Sequence, residues 1–159
     1  MQVEINPSEY TVLIVDDTIA NVLLLKVLIG NQKYRIVTAG NGMEALQAVE
    51  KESPDLILLD IMMPGLNGMD AAREIRGFDK AADIIFLTSS PGFAYDSYSV
   101  QALEYLLKPI RTKTLYPILD RLELRERRPQ EALTLRTGGI IVRVPFSQLT
   151  YVEVNGKHL

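Results

Sequence analysis

The sequence contains no cysteine, which removes disulfides, thiolate nucleophiles and zinc-thiolate centres from consideration. A reducing compartment fits that omission. Histidine is almost as scarce: the single copy, His158, lies one residue from the end and is read as an exposed strand residue without a catalytic role. No apolar run approaches the ~18 residues that a membrane span requires. The opening residues, Met1 to Pro7, show no basic stretch leading into an apolar one, the mark of a secretory signal. A cytoplasmic protein without membrane contact is expected. Also missing after the first apolar run are an Asp-x-Asp pair and a Ser/Thr-rich phosphate loop, which counts against a Mg²⁺-dependent phosphatase or a flavin-binding protein.

What is present suits a globular chain with a real core: 159 residues, 47% hydrophobic and 23% charged, enough for one ordinary domain plus part of another. The net charge of -3 conceals an asymmetry. Residues 1–110 carry 8 Lys/Arg against 15 Asp/Glu, and residues 111–159 carry 9 against 5. An acidic first part is a poor match for nucleic acid, whereas the basic remainder leaves that contact open.

Unbroken aliphatic runs at Thr11–Val15 and Leu56–Leu59 lack the alternation of a half-exposed strand and fit strands buried on both faces. Tyr34–Ala39, Ile84–Leu87 and Tyr105–Leu107 add three more. Helical patterns lie between them. Thr18 is placed to cap the first, which Gly30-Asn31 stops, and Gly40-Asn41-Gly42 and Asn67-Gly68 open the next two. A short helix around Tyr95 to Val100 and a last helix from Thr114 to Arg125 complete the series, with Pro117 tolerated because it falls in the first turn. Strands alternating with helices predict an α/β fold, a doubly wound five-stranded parallel sheet with helices on both faces.

The polar residues of interest all follow strands: Asp16 and Asp17 the first, Asp60 the third, Thr88 the fourth and Lys108 the fifth. In a parallel sheet those ends share one edge, where ligands gather, so the five are predicted to converge. Three carboxylates in one pocket repel each other and call for a cation, and hard oxygen donors point to Mg²⁺. Lys108 and the Thr88 hydroxyl could each hold a phosphoryl oxygen. Asp60 could then act as a nucleophile of the aspartyl-phosphate type.

Val15-Asp16-Asp17, Asp60 with Met63-Pro64-Gly65 and Gly68, Leu87-Thr88-Ser89 and Tyr105-Leu106-Leu107-Lys108-Pro109, in that order, resemble the response-regulator receivers of bacterial two-component systems. The resemblance covers about Thr11 to Leu124 and implies a flavodoxin-like receiver. It further implies that Asp60 accepts a phosphoryl group from a sensor histidine kinase. Mg²⁺ would be held by Asp17, Asp60 and the Met62 backbone carbonyl, with Asp16 acting through water. Thr88 and Tyr105 would form a switch pair, Lys108 would bind the phosphoryl group, and the Lys108-Pro109 bond would be cis. The chain would then be a phosphoacceptor with its own phosphorylation and dephosphorylation chemistry, not an enzyme acting on others.

The charged run from Glu123 into Pro129 marks a boundary, giving a receiver over 1–125, a linker over 126–131 and an incomplete β-rich fragment over 132–159. Leu133–Thr137, Gly138-Gly139 and Ile140–Val144 read as a hairpin, and Tyr151–Val154 before Asn155-Gly156 as the start of a second. This fragment resembles the opening of a LytTR-type DNA-binding domain. DNA contact would then belong to the complete output domain of a longer parent. The exposed strand edges are expected to promote a homodimer. The competing expectation is a receiver that serves only as a phosphoryl sink or docking module.

Overall fold

The computed structural model describes residues 10–30, 34–127, 132–137 and 140–145, with side chains as far as residue 122. Five parallel strands form one sheet: β1 (Thr11–Val15), β2 (Arg35–Ala39), β3 (Leu56–Leu59), β4 (Asp83–Thr88) and β5 (Glu104–Leu107), in the order β2-β1-β3-β4-β5. Among the described residues four α-helices accompany them: α1 (Ile19–Gly30), α2 (Gly42–Glu52), α3 (Gly68–Phe78) and α4 (Thr112–Arg127). This is the expected doubly wound architecture. The chain divides into two compact units between Tyr116 and Pro117. Beyond that division, β6 (Ala132–Thr137) and β7 (Ile140–Pro145) pair antiparallel, as the hairpin reading expects. The second hairpin start, Tyr151–Val154, and His158 lie outside the described residues.

The aliphatic runs are explained by burial. Every residue of β1 and β3 is buried. Alternate side chains go to opposite faces: Leu13, Val15, Ile57, Leu59, Ile84 and Phe86 join Ala45 and Val49 of α2 and Met69, Ala72 and Ile75 of α3 in one core. Side chains at the intervening positions, among them Val12, Ile14, Leu56, Leu58 and Ile85, are equally buried.

Local signals set the helix starts. The Asn41 side chain accepts from the Glu44 backbone N–H while Glu44 reaches back to the Gly40 N–H, a reciprocal cap on α2. Asn67 caps α3 by accepting from the Asp70 N–H. Two differences concern the later elements. The segment read as a short helix near Tyr95 is a pair of 3₁₀ turns, Pro91–Phe93 and Asp96–Val100. Helix α4 starts at Thr112, so Pro117 stands inside it and not in its first turn. The Arg111 carbonyl, accepting from the Thr114 and Leu115 amides, moves the start forward. Pro117 removes one donor from the ladder, and it stands at an exposed position of the helix.

The end of the crossover is held by Arg76. Its guanidinium donates to the carbonyls of Val100, Asp79, Ala82 and Gln101, at 2.7, 3.3, 2.7 and 3.4 Å. Burial pushes its pKa down, opposed by the nearby Asp79 and Asp83 carboxylates.

Gly68 decides how closely α3 approaches the third strand end. A Cβ there would lie 2.0 Å from the Asp60 carbonyl oxygen, whereas one at Gly77 would meet nothing within 4 Å. Gly68→Ala is therefore expected to destabilise the fold by about 1–3 kcal/mol, and Gly77→Ala to stabilise it by up to about 1 kcal/mol through helix propensity. Urea unfolding of both variants checks the contrast, which equal midpoints would refute.

Candidate functional site

The carboxyl ends of the strands meet at one edge because the parallel ladders run on past the strands. The Asp60 N–H donates to the Val15 carbonyl at 2.9 Å, the Asp16 N–H to Ala39 at 3.2 Å, and the Lys108 N–H to Thr88 at 2.8 Å. These backbone bonds bring together residues far apart in sequence. Carboxylate oxygens of Asp16, Asp17 and Asp60 all lie within 4.8 Å of one another. Asp16 and Asp60 are 3% and 4% exposed, while Asp17 faces solvent.

Lys108 lies across the buried pair. Its Nζ is 2.8 Å from Asp16 Oδ2 and 3.6 Å from Asp60 Oδ1. The peptide bond from Lys108 to Pro109 is cis, as the resemblance implies. Burial raises the Asp60 pKa above the ordinary aspartate value. Lys108 opposes that shift, Asp16 adds to it, and a hydrogen bond from the Met62 backbone N–H opposes it again. The Met62 side chain is exposed. Gly65, with φ of 76°, turns the loop after Pro64, and the Gly68 N–H donates to Ile61 at 2.9 Å, returning the chain beneath Asp60.

Thr88 is fully buried, and its Oγ1 accepts from the Ser90 N–H at 3.3 Å. The Tyr105 hydroxyl donates to the Ser90 carbonyl, and its ring stands 6.4 Å from that of Phe86. The two residues of the expected switch pair thus share Ser90 as a neighbour. A cleft of about 460 Å³ opens beside Asp17, bounded by Gly40, Asn41, Gly42, Met43 and the Pro64–Leu66 loop.

Asn21, absent from the sequence-based set, belongs to this cluster. Its Nδ2 lies 3.3 Å from Asp16 Oδ1 and 3.2 Å from Oδ2, and the Thr18 N–H donates to Oδ1 at 2.8 Å. The available signal was an amide placed in the first turn of a helix that follows an acidic pair at once.

The donor set suits a hard divalent cation. Three carboxylates face one lysine, every donor is oxygen, and the exposed side at Asp17 leaves room for the waters that Mg²⁺ retains.

A model of the response regulator receiver domain matches residues 12–120. The chain belongs to that family. The receiver is 36% identical over 126 residues to the positive alginate biosynthesis regulatory protein of Pseudomonas aeruginosa, covering 77% of this chain and 51% of that protein. It is 31% identical over 151 residues to the DNA-binding response regulator MtrA of Mycobacterium leprae, covering 93% and 64%. The chain thus spans between half and two thirds of the length of these relatives. Among solved structures, the response regulator TrrA of Thermotoga maritima in complex with Mg²⁺-BeF matches with a TM-score of 0.66 and 36% identity, over 71% of this chain and 98% of that one. The Vibrio cholerae chemotaxis protein CheY4 gives 0.65 and 31%, over 70% and 97%. No helix among the described residues is long and apolar enough to cross a membrane.

The raised pKa of Asp60 has a definite sign. In the pH range above its ordinary value the folded chain binds more protons there than the unfolded chain, so this group's contribution to stability falls as pH rises through that window. In chelator-treated buffer, Asp60→Asn is expected to melt higher than the unsubstituted chain at neutral pH, with the gain shrinking as pH falls toward about 4. Thermal melts across pH would refute this if the difference were constant or reversed.

Proposed function

We propose that this receiver is a phosphorylation switch in which Asp60 accepts a phosphoryl group from a sensor histidine kinase. The observation that carries the reading is Lys108 Nζ at 2.8 Å from Asp16 and 3.6 Å from Asp60, at the mouth of a three-carboxylate cluster. Asp17, Asp60 and the Met62 carbonyl are the residues that would hold Mg²⁺ directly, with Asp16 acting through water. When bound, the cation offsets the charge of the carboxylates and of the incoming phosphoryl oxygens.

An Asp60 carboxylate oxygen attacks phosphorus as the phosphorus–nitrogen bond to the kinase imidazole breaks, and the imidazole departs with the bonding pair. Burial of Asp60 limits competing water at the nucleophile. Lys108, already between the two acids, shifts toward the phosphoryl oxygens. The Thr88 hydroxyl gives up the Ser90 amide to donate to the same group, and Tyr105, held at Ser90, follows that displacement. The consequence passes to a DNA-binding output domain of a longer protein. We assign that domain to the LytTR type, supported by the β6–β7 hairpin that follows the basic end of α4.

Incubation with acetyl phosphate and Mg²⁺, read by intact mass, tests the reading. The unsubstituted chain is expected to gain the mass of one phosphoryl group, with no gain in Asp60→Asn or after chelation. Labelling that persists in Asp60→Asn, or no labelling of the unsubstituted chain, would overturn it. Lys108→Ala is expected to keep Mg²⁺ binding while slowing labelling by about a hundredfold or more; an unchanged rate would exclude the phosphoryl-binding role.

A further inference from the structure

Asp16 is 3% exposed, and its two oxygens divide their donors unequally. Oδ1 accepts from the Thr18 N–H and from Asn21 Nδ2, whereas Oδ2 accepts from Lys108 Nζ and from the same Asn21 amide. Among the described contacts Lys108 is the one cation on Asp16. It is also the group that the phosphoacceptor reading sends to Asp60, whose Oδ1 is 3.6 Å from its Nζ. Three new anionic oxygens on Asp60 draw the ammonium away from Asp16. Of the protein donors described on Oδ2, only the Asn21 amide then remains, and a buried carboxylate oxygen that loses its partners is costly.

We propose that Asn21 is a positioning residue of the acidic site, bridging both oxygens of Asp16 so that the carboxylate keeps its orientation toward the metal position while Lys108 changes partners. The role rests on the reading of Asp60 given above. The fold places the amide for it. Asn21 is the third residue of α1, its own N–H bonded to the Thr18 carbonyl at 3.1 Å, and side chains in a first turn lean back toward the helix start. A neutral amide suits the task because it contributes hydrogen bonds without adding charge that would compete with the divalent cation. An apolar residue of similar size would fill the space and leave Asp16 oriented by the Thr18 N–H alone once the lysine had moved.

Calorimetric titration of Mg²⁺ into the full chain tests this, with and without beryllium fluoride as the phosphoryl stand-in. Asn21→Leu is expected to raise the Mg²⁺ dissociation constant about tenfold, with a larger increase when beryllium fluoride is present. Asn21→Gln, which keeps the amide, is expected to restore most of the affinity. Melts in chelator show that each variant is folded, and Asn21→Ser is a smaller replacement should leucine prevent folding. A merely structural role would lower the melting temperature and leave affinity alone. Affinity within about twofold of the unsubstituted chain in both conditions would overturn the proposal, while failure of the unsubstituted chain to bind Mg²⁺ would remove the underlying reading with it.

Discussion

Two buried carboxylates sharing one lysine is the constraint around which this receiver is built. Asp16 and Asp60 are nearly inaccessible to water, and Lys108 lies 2.8 Å from one and 3.6 Å from the other. One positive charge cannot satisfy both, and the exposed Asp17 adds a third negative charge close by. The imbalance shows in Asp60, whose pKa burial raises despite the lysine. A site so arranged gains from a divalent cation and is disturbed by any group that takes the lysine from Asp16. Both properties are what a phosphorylation switch requires.

Much of this could be read in the residues because the chemistry sits at strand ends and the strands announce themselves. Runs such as Leu56-Ile57-Leu58-Leu59, with no polar interruption, have few homes besides a sheet covered on both faces. Asp16, Asp60, Thr88 and Lys108 follow those runs directly. Parallel pairing then forces them to one edge, which no spacing along the chain would reveal without the inference that the strands are parallel.

What escaped the sequence depended on tertiary geometry. Asn21 carries no strand-end signature; only the folded turn from β1 into α1 sets its amide 3.2–3.3 Å from the oxygens of Asp16. Arg76 looks like any surface arginine on an amphipathic helix, yet its guanidinium finds four backbone carbonyls that only the folded crossover presents. Pro117 was misjudged because the helix start lies two residues earlier than the pattern suggested: the carbonyl of Arg111 accepts the first helical amides, and backbone caps leave no trace in side-chain pattern. The tyrosine-bearing crossover kept its position but took 3₁₀ geometry, a distinction that hydrophobic periodicity over so few residues does not encode.

The Arg76 clamp ties down one end of the crossover that follows β4, and Ser90 ties down the other. Val100 and Gln101 are pinned to α3 through one rigid guanidinium plane, while Ser90, at the other end, touches both Thr88 and Tyr105. Between those ends Phe93 packs against the core and Ser97 is buried, its hydroxyl donating to the Ala94 carbonyl, while Tyr95 and Tyr98 are highly exposed. The segment is tied at both ends to groups inside the fold, so the two tyrosine rings it carries project into solvent from a stretch whose path is fixed by those ties.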